Sequence, residues 1–336
     1  MNIAIDTSPL NSGHKVRGVG KYTKLLIESL KKYESQHSYT LIERGQKVPN
    51  NVDLVHYPYF DPFFLTLPLI TAKPTVITVH DLIPLVFPDK FPRGLRGELK
   101  WNIQRLALRN AKKIITDSQN SKRDIVKIVG TPERKISVVH LAPDPAIIAG
   151  SAKSSKPERF FIYVGDLNWN KNIHGLLEGF SRVQTGIKLM IVGQAFLNKN
   201  LSEAIAVREY VIKLGIDDRV RFFGYVSDEK LGVLYASSLG CMLPSFYEGF
   251  GLPVLEAMAC GTPVIVSHGS SLDEIAGPAF RVDPANPDTI TDACTKLANV
   301  SRQERSTIVE KGRVWSAEFT WEKVAQNTVR VYESCI

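Results

Sequence analysis

The sequence predicts an α/β fold of two Rossmann-like, doubly wound domains. Three observations carry that prediction. Short β-branched segments alternate with segments of helical periodicity through the first half. A polar stretch of small residues, Ala149 to Glu158, reads as an interdomain linker. The alternation then starts afresh at Arg159, and a chain of 336 residues is about two domains long.

In the first half, Met1 to Thr7 reads as a strand. A basic loop follows and ends Arg17-Gly18-Val19-Gly20, after which Tyr22, Leu25, Leu26, Ser29 and Leu30 recur at helical spacing. The nucleotide fingerprint G-x-G-x-x-G is incomplete there, because Thr23 stands at the third glycine position. A simple tight turn is the competing reading. Tyr39 to Ile42 and Val52 to His56 are the next strands, and the aromatic, proline-rich segment after them suits core filling or a loop near an acceptor or membrane. Thr75 to Val79 is a β-branched strand ending in His80-Asp81. Open α/β sheets bind ligands at the carboxyl ends of their strands, so both residues are candidates.

Residues 93–113 read as a long helix. Its Leu95, Leu99, Ile103 and Leu106 form a stripe expected to face the core. Its basic residues fall on two sides of the wheel, which makes no clean membrane-binding amphipath and leaves attraction to anionic lipid a secondary expectation. Lys113 to Ser118 and Ile136 to Leu141 complete the strands of this half, with Ser118 or Asn120 capping the helix between them.

The second half opens on the strand Arg159 to Gly165, then a loop, Asp166 to Asn172. Strands follow at Leu189 to Val192 and Val220 to Phe223, and a helix over 228–236 leads into the apolar run Leu239 to Leu243. The chain then turns through the loop Ser245 to Gly251. Pro253 suits the first turn of a helix, Gly261 ends that helix, and Pro263 blocks its continuation. Such a helix start presents unpaired backbone N–H groups and the positive end of a dipole, which suits a phosphate or diphosphate. Glu248 precedes the turn and Glu256 is placed in the first helical turn or so. Either glutamate alone also reads as a solvated loop residue or a dipole complement. After the strand Thr262 to Ser267, helices are expected to the end.

Composition bounds the function. The net charge of +8 is uneven: residues 1–150 carry 22 Lys+Arg and 13 Asp+Glu, a balance of +9, and the remaining 20 and 21 give −1. A basic first half favours an anionic partner there, whether phospholipid, phosphorylated acceptor or nucleic acid, against a generally basic surface with none. The four cysteines lie in no C-x-x-C or zinc spacing and suit a reducing cytoplasm. No apolar run reaches the length of a membrane span, and Asn2-Ile3-Ala4-Ile5 reads as a strand rather than a signal peptide. The expected location is the cytoplasm, with peripheral attachment to the inner membrane face as its extension.

The string from Pro244 to Pro263, P-S-F-Y-E-G-F-G-L-P-V-L-E-A-M-A-C-G-T-P, resembles nearly residue for residue the Glu-x7-Glu signature of the retaining glycosyltransferases of family 4. The run from Thr78 to Leu85, T-V-H-D-L-I-P-L, is similar to that of mannosyltransferase-like members. The resemblance implies a GT-B fold, two Rossmann-like domains facing an interdomain cleft that must close for the site to be complete. It also implies a C-terminal helix that crosses back to the first domain through Phe319, Trp321, Val324 and Val331. The expected division is an acceptor-side domain over 1–150, a nucleotide-sugar domain over 157–315, and the returning helix over 316–336.

Site residues carried over by the resemblance are as follows. His80 and Glu248 meet the transferred sugar, with Gly18, Val19, Gly20 and Asp81 in the sugar and acceptor loops. Lys171 holds the donor diphosphate together with Gly249, Phe250, Gly251 and Leu252 at the helix start. Glu256 takes the ribose hydroxyls, and Gly165 and Tyr225 complete the donor side. Members commonly place an arginine near this lysine, where Asp166 and Asn170 stand here.

The reaction so implied moves a hexose, mannose from GDP-mannose being the expected donor, to a cell-surface glycan or lipid-linked acceptor with retention. A nucleoside diphosphate leaving group needs fixed positive charge and backbone donors more than an acid. No Asp-x-Asp occurs in the chain, so neither metal nor cofactor is expected. A covalent intermediate and a substrate-assisted front-face route both remain open. The alternatives are a UDP-sugar donor or soluble acceptor, a GT-B epimerase, and a basic nucleic-acid-binding protein without catalysis, for which no recognition module is present.

Overall fold

The computed structural model describes residues 1–11, 18–154 and 158–336. The basic part of the expected glycine loop, including Arg17, lies outside the described residues, as does part of the expected linker.

Among the described residues, twelve strands form two all-parallel sheets. The first holds β1 (Asn2–Asp6), β2 (Ser38–Ile42), β3 (Leu54–Tyr57), β4 (Thr75–Thr78), β5 (Lys113–Thr116) and β6 (Ile136–Val138). Their order is β2-β1-β3-β4-β5-β6. The second holds β7 (Phe160–Val164), β8 (Lys188–Val192), β9 (Val220–Phe223), β10 (Gly240–Leu243), β11 (Val264–Ser267) and β12 (Phe280–Val282). These run β12-β11-β10-β7-β8-β9. Helices cover both faces, so the central strands read as continuous apolar runs, and every residue of β4, β10 and β11 is buried. The strand order of the second sheet reverses between β7 and β10, which makes the loops after those two strands its switch point.

The chain divides into one unit of Met1–Ala142 with Thr320–Ile336, and a second of Pro143–Phe319. The division precedes the expected 149–158 linker. Ala149, Gly150 and Ser151 are not a linker; they finish a helix, Pro145–Ser151, capped by Asp144. That helix packs on Asp228–Ser237 so closely that a Cβ on Gly150 would lie 2.4 Å from the Glu229 carbonyl oxygen. A run of small residues that reads as linker is here a close helix crossing.

The Trp321–Glu333 helix belongs to the first unit and packs against Gly18–Tyr33, burying Trp321, Val324 and Val331. Phe319 does not go with it. Its ring lies against Phe250 and Trp315 in the second unit. β12 is a strand where only helix and loop were expected, extending β11 in parallel.

The 93–113 segment forms the helix Gly94–Asn110, but its polarity is opposite to expectation. Leu95, Leu99 and Leu106 face outward, and Gly97, Trp101, Gln104, Ala107 and Leu108 form the buried side. No helix among the described residues is long and apolar enough to cross a membrane.

Candidate active site

The two loops at the β7/β10 switch point are joined side by side. After β7 the chain makes a tight turn at Trp169–Lys171, then enters the left-handed region at Asn172 (φ 52°) before the helix Ile173–Ser181. Asn172 caps that helix by accepting from the Gly175 N–H, and its amide donates to the carbonyls of Pro244 and Pro284. Asn170 is buried. It donates to the Tyr247 carbonyl at 2.9 Å and accepts through its own carbonyl from Phe246 N–H. The Trp169 ring stacks on Phe246 at 5.1 Å. Position 170, one of the two expected for an arginine, is thus a structural clamp between the loops.

The clamp delivers Lys171 to Glu248. The ammonium donates to both carboxylate oxygens, at 2.8 and 2.9 Å, and the pair is largely buried. Ser245 donates to the same carboxylate at 2.7 Å. Ser271 holds the backbone beyond, its hydroxyl shared between the carbonyls of Glu248 and Phe250. The first glutamate of the signature and the loop lysine, 77 residues apart in sequence, are brought together.

Gly251 caps the helix Leu252–Ala259 at φ 104°, and a Cβ there would lie 2.8 Å from Leu272. Only glycine suits that turn. Pro253 stands in the first helical turn as expected. Glu256 does not; it sits in the second turn, buried, where Tyr235 donates to it at 3.4 Å. Burial, and then the Glu256 charge, push the Tyr235 hydroxyl well above its ordinary range, so it remains a donor. Gly165 ends β7 against Gly193, whose added Cβ would meet the Gly165 carbonyl at 2.2 Å. Tyr225 is exposed beyond β9 and its N–H bonds the Gln194 side chain.

In the first unit, Gly18, Val19 and Gly20 are not a loop. They form the first turn of the Gly18–Tyr33 helix, where Thr23 donates back to the Val19 carbonyl. His80 follows β4 and its Nδ1 bonds Asp117, at the end of β5, at 2.7 Å. The Tyr22 ring meets the imidazole edge-on at 4.7 Å. Burial alone would lower the His80 pKa, but the Asp117 charge and hydrogen bond, the Asp81 charge and the Pro58 carbonyl outweigh it and raise it. With Nδ1 held by Asp117, the buried Nε2 is the ring nitrogen left to face the Pro58 carbonyl. Asp81 accepts from Ile83 N–H, a turn role beside the histidine.

A buried chain runs behind His80. Tyr332, on the C-terminal helix, bonds His56 Nδ1 at 2.6 Å, His56 Nε2 bonds Thr78 at 2.8 Å, and Thr78 bonds Tyr22 at 3.2 Å. Burial, reinforced by the nearby His80, pushes His56 down to about 3, so it stays neutral. Sequence reasoning missed Asp117, Ser245 and Tyr235. Asp117 carried a usable signal: it ends a β-branched strand, as His80 does. Among the described residues no group of His, Cys, Asp and Glu converges as a metal site.

A model of the family described as Glycosyl transferases group 1 matches residues 147–315, and one described as Glycosyltransferase Family 4 matches residues 16–146. The chain belongs to the group 1 glycosyltransferases. As a glycosyltransferase it is 30% identical over 295 residues to the O-antigen chain mannosyltransferase B of Escherichia coli, spanning 84% of this chain and 75% of the relative. It is also 30% identical to the O-antigen chain mannosyltransferase RfbU of Salmonella typhimurium, over 75% of this chain and 71% of that one. The solved structure of Anabaena HepE in complex with UDP and glucose superposes with a TM-score of 0.75 at 18% identity, over 99% of this chain and 100% of that chain. This glycosyltransferase therefore has the GT-B fold. Its membership leaves the nucleic-acid-binding alternative without support.

Proposed function

We propose that this glycosyltransferase transfers mannose from GDP-mannose, with retention and without a metal, to a cell-surface glycan or lipid-linked acceptor. The observation that carries the reading is the Lys171–Glu248 pair. One cation and one anion stand in contact at the sheet's switch point, beside a glycine-capped helix start. A nucleoside diphosphate needs the first and a sugar the second.

Lys171 and the N–H groups from Gly249 to Leu252 take the charge that develops on the leaving diphosphate. Glu248 accepts hydrogen bonds from hydroxyls of the transferred sugar, and Ser245 keeps its carboxylate in place. Glu256 accepts from the ribose hydroxyls. His80 bonds a hydroxyl of the transferred sugar, with Asp117 as its positioning residue. Gly165 and Tyr225 line the donor side, and Gly18 to Gly20 and Asp81 the acceptor side. Retention follows from either a covalent intermediate or a front-face attack. The names of the two enterobacterial relatives support mannose. The UDP and glucose in the HepE structure support the second reading, a UDP-sugar donor. The four buried free thiols suit a reducing cytoplasm.

The test is a donor panel of GDP-mannose, UDP-glucose and UDP-GlcNAc, with EDTA and with magnesium, read by thermal shift and donor hydrolysis. Stabilisation by GDP-mannose in EDTA, lost in Lys171→Ala, supports the reading. Stabilisation by a UDP-sugar alone replaces the donor, and a response that requires magnesium refutes the metal-free route.

A further inference from the structure

The outward leucines of the Gly94–Asn110 helix belong to no core. Leu95 is 91% exposed and Leu99 64%. At about 100° per residue, Leu95, Leu99 and Leu106 fall within about 40° of one another, so they form one line along the helix. Arg96 and Lys100 flank that line on one side; on the other, Arg105 and Arg109 donate through Nε to the Val129 carbonyl and Glu98 pairs with Arg93. With the leucines facing outward, Arg96 and Lys100 become a cationic rim along one side of an apolar ridge.

A loop enlarges the ridge. Gln104, fully buried, accepts from the N–H of Thr66, the Thr66 hydroxyl and the N–H of Leu67, and donates back to the Leu67 carbonyl. This fastens the loop to the helix and leaves Phe64, Leu65 and Ile70 exposed beside it, Ile70 at 91%. The Lys100 ammonium lies 5.2 Å over the Phe64 ring, placing loop and helix apolar groups on one face. A monomeric protein rarely exposes so many large apolar side chains together without covering them. Their covering must tolerate the cations of Arg96 and Lys100 beside it.

We propose that this face docks on an anionic lipid bilayer, the leucines and Phe64 entering the headgroup–acyl boundary and Arg96 and Lys100 lying against lipid phosphates. Charge complementarity selects the bilayer over a second copy of the chain, because pairing two such faces would set Arg96 and Lys100 against their like. The helix lies in the interface plane rather than crossing it, in keeping with its length. The inference does not depend on the donor or acceptor assigned above.

The experiment is co-sedimentation of the full chain with vesicles of phosphatidylcholine alone, or with about one-third phosphatidylglycerol. Binding is expected to the mixed vesicles only. Leu95→Asp/Leu99→Asp is expected to weaken partitioning about tenfold or more, and Arg96→Glu/Lys100→Glu about tenfold. The leucine variant retains its melting temperature and donor hydrolysis, since both side chains are solvent-exposed and outside the donor site. Equal binding by wild type and leucine variant, or no binding to either vesicle, overturns the proposal. So does a concentration-dependent dimer in sedimentation velocity that the leucine variant abolishes. Loss of donor stabilisation in Lys171→Ala with vesicle binding intact separates a failure here from a failure of the proposed function.

Discussion

Lys171→Ala tests the ion pair at the centre of the second unit. The Lys171 side chain is 19% exposed and Glu248 6%, so deletion of the lysine strands a carboxylate with little water to replace its partner. Breaking a buried pair by removing one member costs about 3–5 kcal/mol. Ser245 still donates to Glu248, which brings the expected loss to the lower end, about 3 kcal/mol. Glu248→Gln costs less, because the longer lysine can turn its ammonium to solvent. The double variant is then less damaged than the sum of the two, with a coupling of about 1–3 kcal/mol. Urea unfolding of all four proteins reports this, and Trp169, stacked on Phe246 beside the pair, supplies a local fluorescence signal. Additivity within about 0.5 kcal/mol would refute the claim that the two charges depend on one another.

Four further outcomes are expected. His56 has its pKa lowered to about 3 in the folded state. Its contribution is present above the unfolded value near 6.5 and is lost as pH falls towards 3, at about 1.4 kcal/mol per pH unit; melting curves of wild type and His56→Gln should diverge less as pH drops. His80 has the opposite sign. Its pKa is raised, so the stability it draws from Asp117 is present below about 6.5 and lost as pH rises through the folded value; the melting gap between wild type and Asp117→Asn should be wider at acid pH than at alkaline pH. Gly251→Ala, at φ 104° and in contact with Leu272, should cost about 1–3 kcal/mol by chemical denaturation and weaken donor binding in a thermal-shift titration. The two positions expected for an arginine should behave differently. Asn170→Arg breaks the buried clamp to Tyr247 and should destabilise by more than about 2 kcal/mol, whereas Asp166→Arg at the surface should change stability by less than about 0.5 kcal/mol and tighten donor binding.

Much of the second unit's switch-point site was legible because its signals are local. Pro253, Gly251 and Gly261 mark the ends of one helix by backbone chemistry that no distant contact overrides. Ser118 caps its helix by accepting from Ser121 N–H, as the residue type predicts. What the sequence withheld depends on partners. A leucine stripe defines a face of the Gly94–Asn110 helix but not the direction of that face. Trp101 and Gln104 took the inner side because a ring and a fully bonded amide fill it. Ala149 to Ser151 read as linker because small residues mark both loops and close helix crossings, and the crossing becomes visible only with Glu229 and Gly232 opposite. Asp117 needed its partner His80, which lies 37 residues away, before its role was plain.

The bond between Tyr332 and His56 spans 276 positions and sets an order of events during synthesis. The first unit is made of two segments, Met1–Ala142 and Thr320–Ile336, on either side of the second in sequence. A ribosome adding about 5–20 residues per second needs roughly 9–35 s to make the intervening second unit. Through that interval the first unit has all six strands but no Tyr332 for His56 Nδ1 and no cover where Trp321 and Val324 will lie. The second unit, continuous in sequence, completes itself before the first. The Trp321–Glu333 helix therefore leaves the ribosome after the whole second unit and closes a sheet made before it, and a nascent chain stalled before residue 320 would carry a finished second unit attached to an open first one.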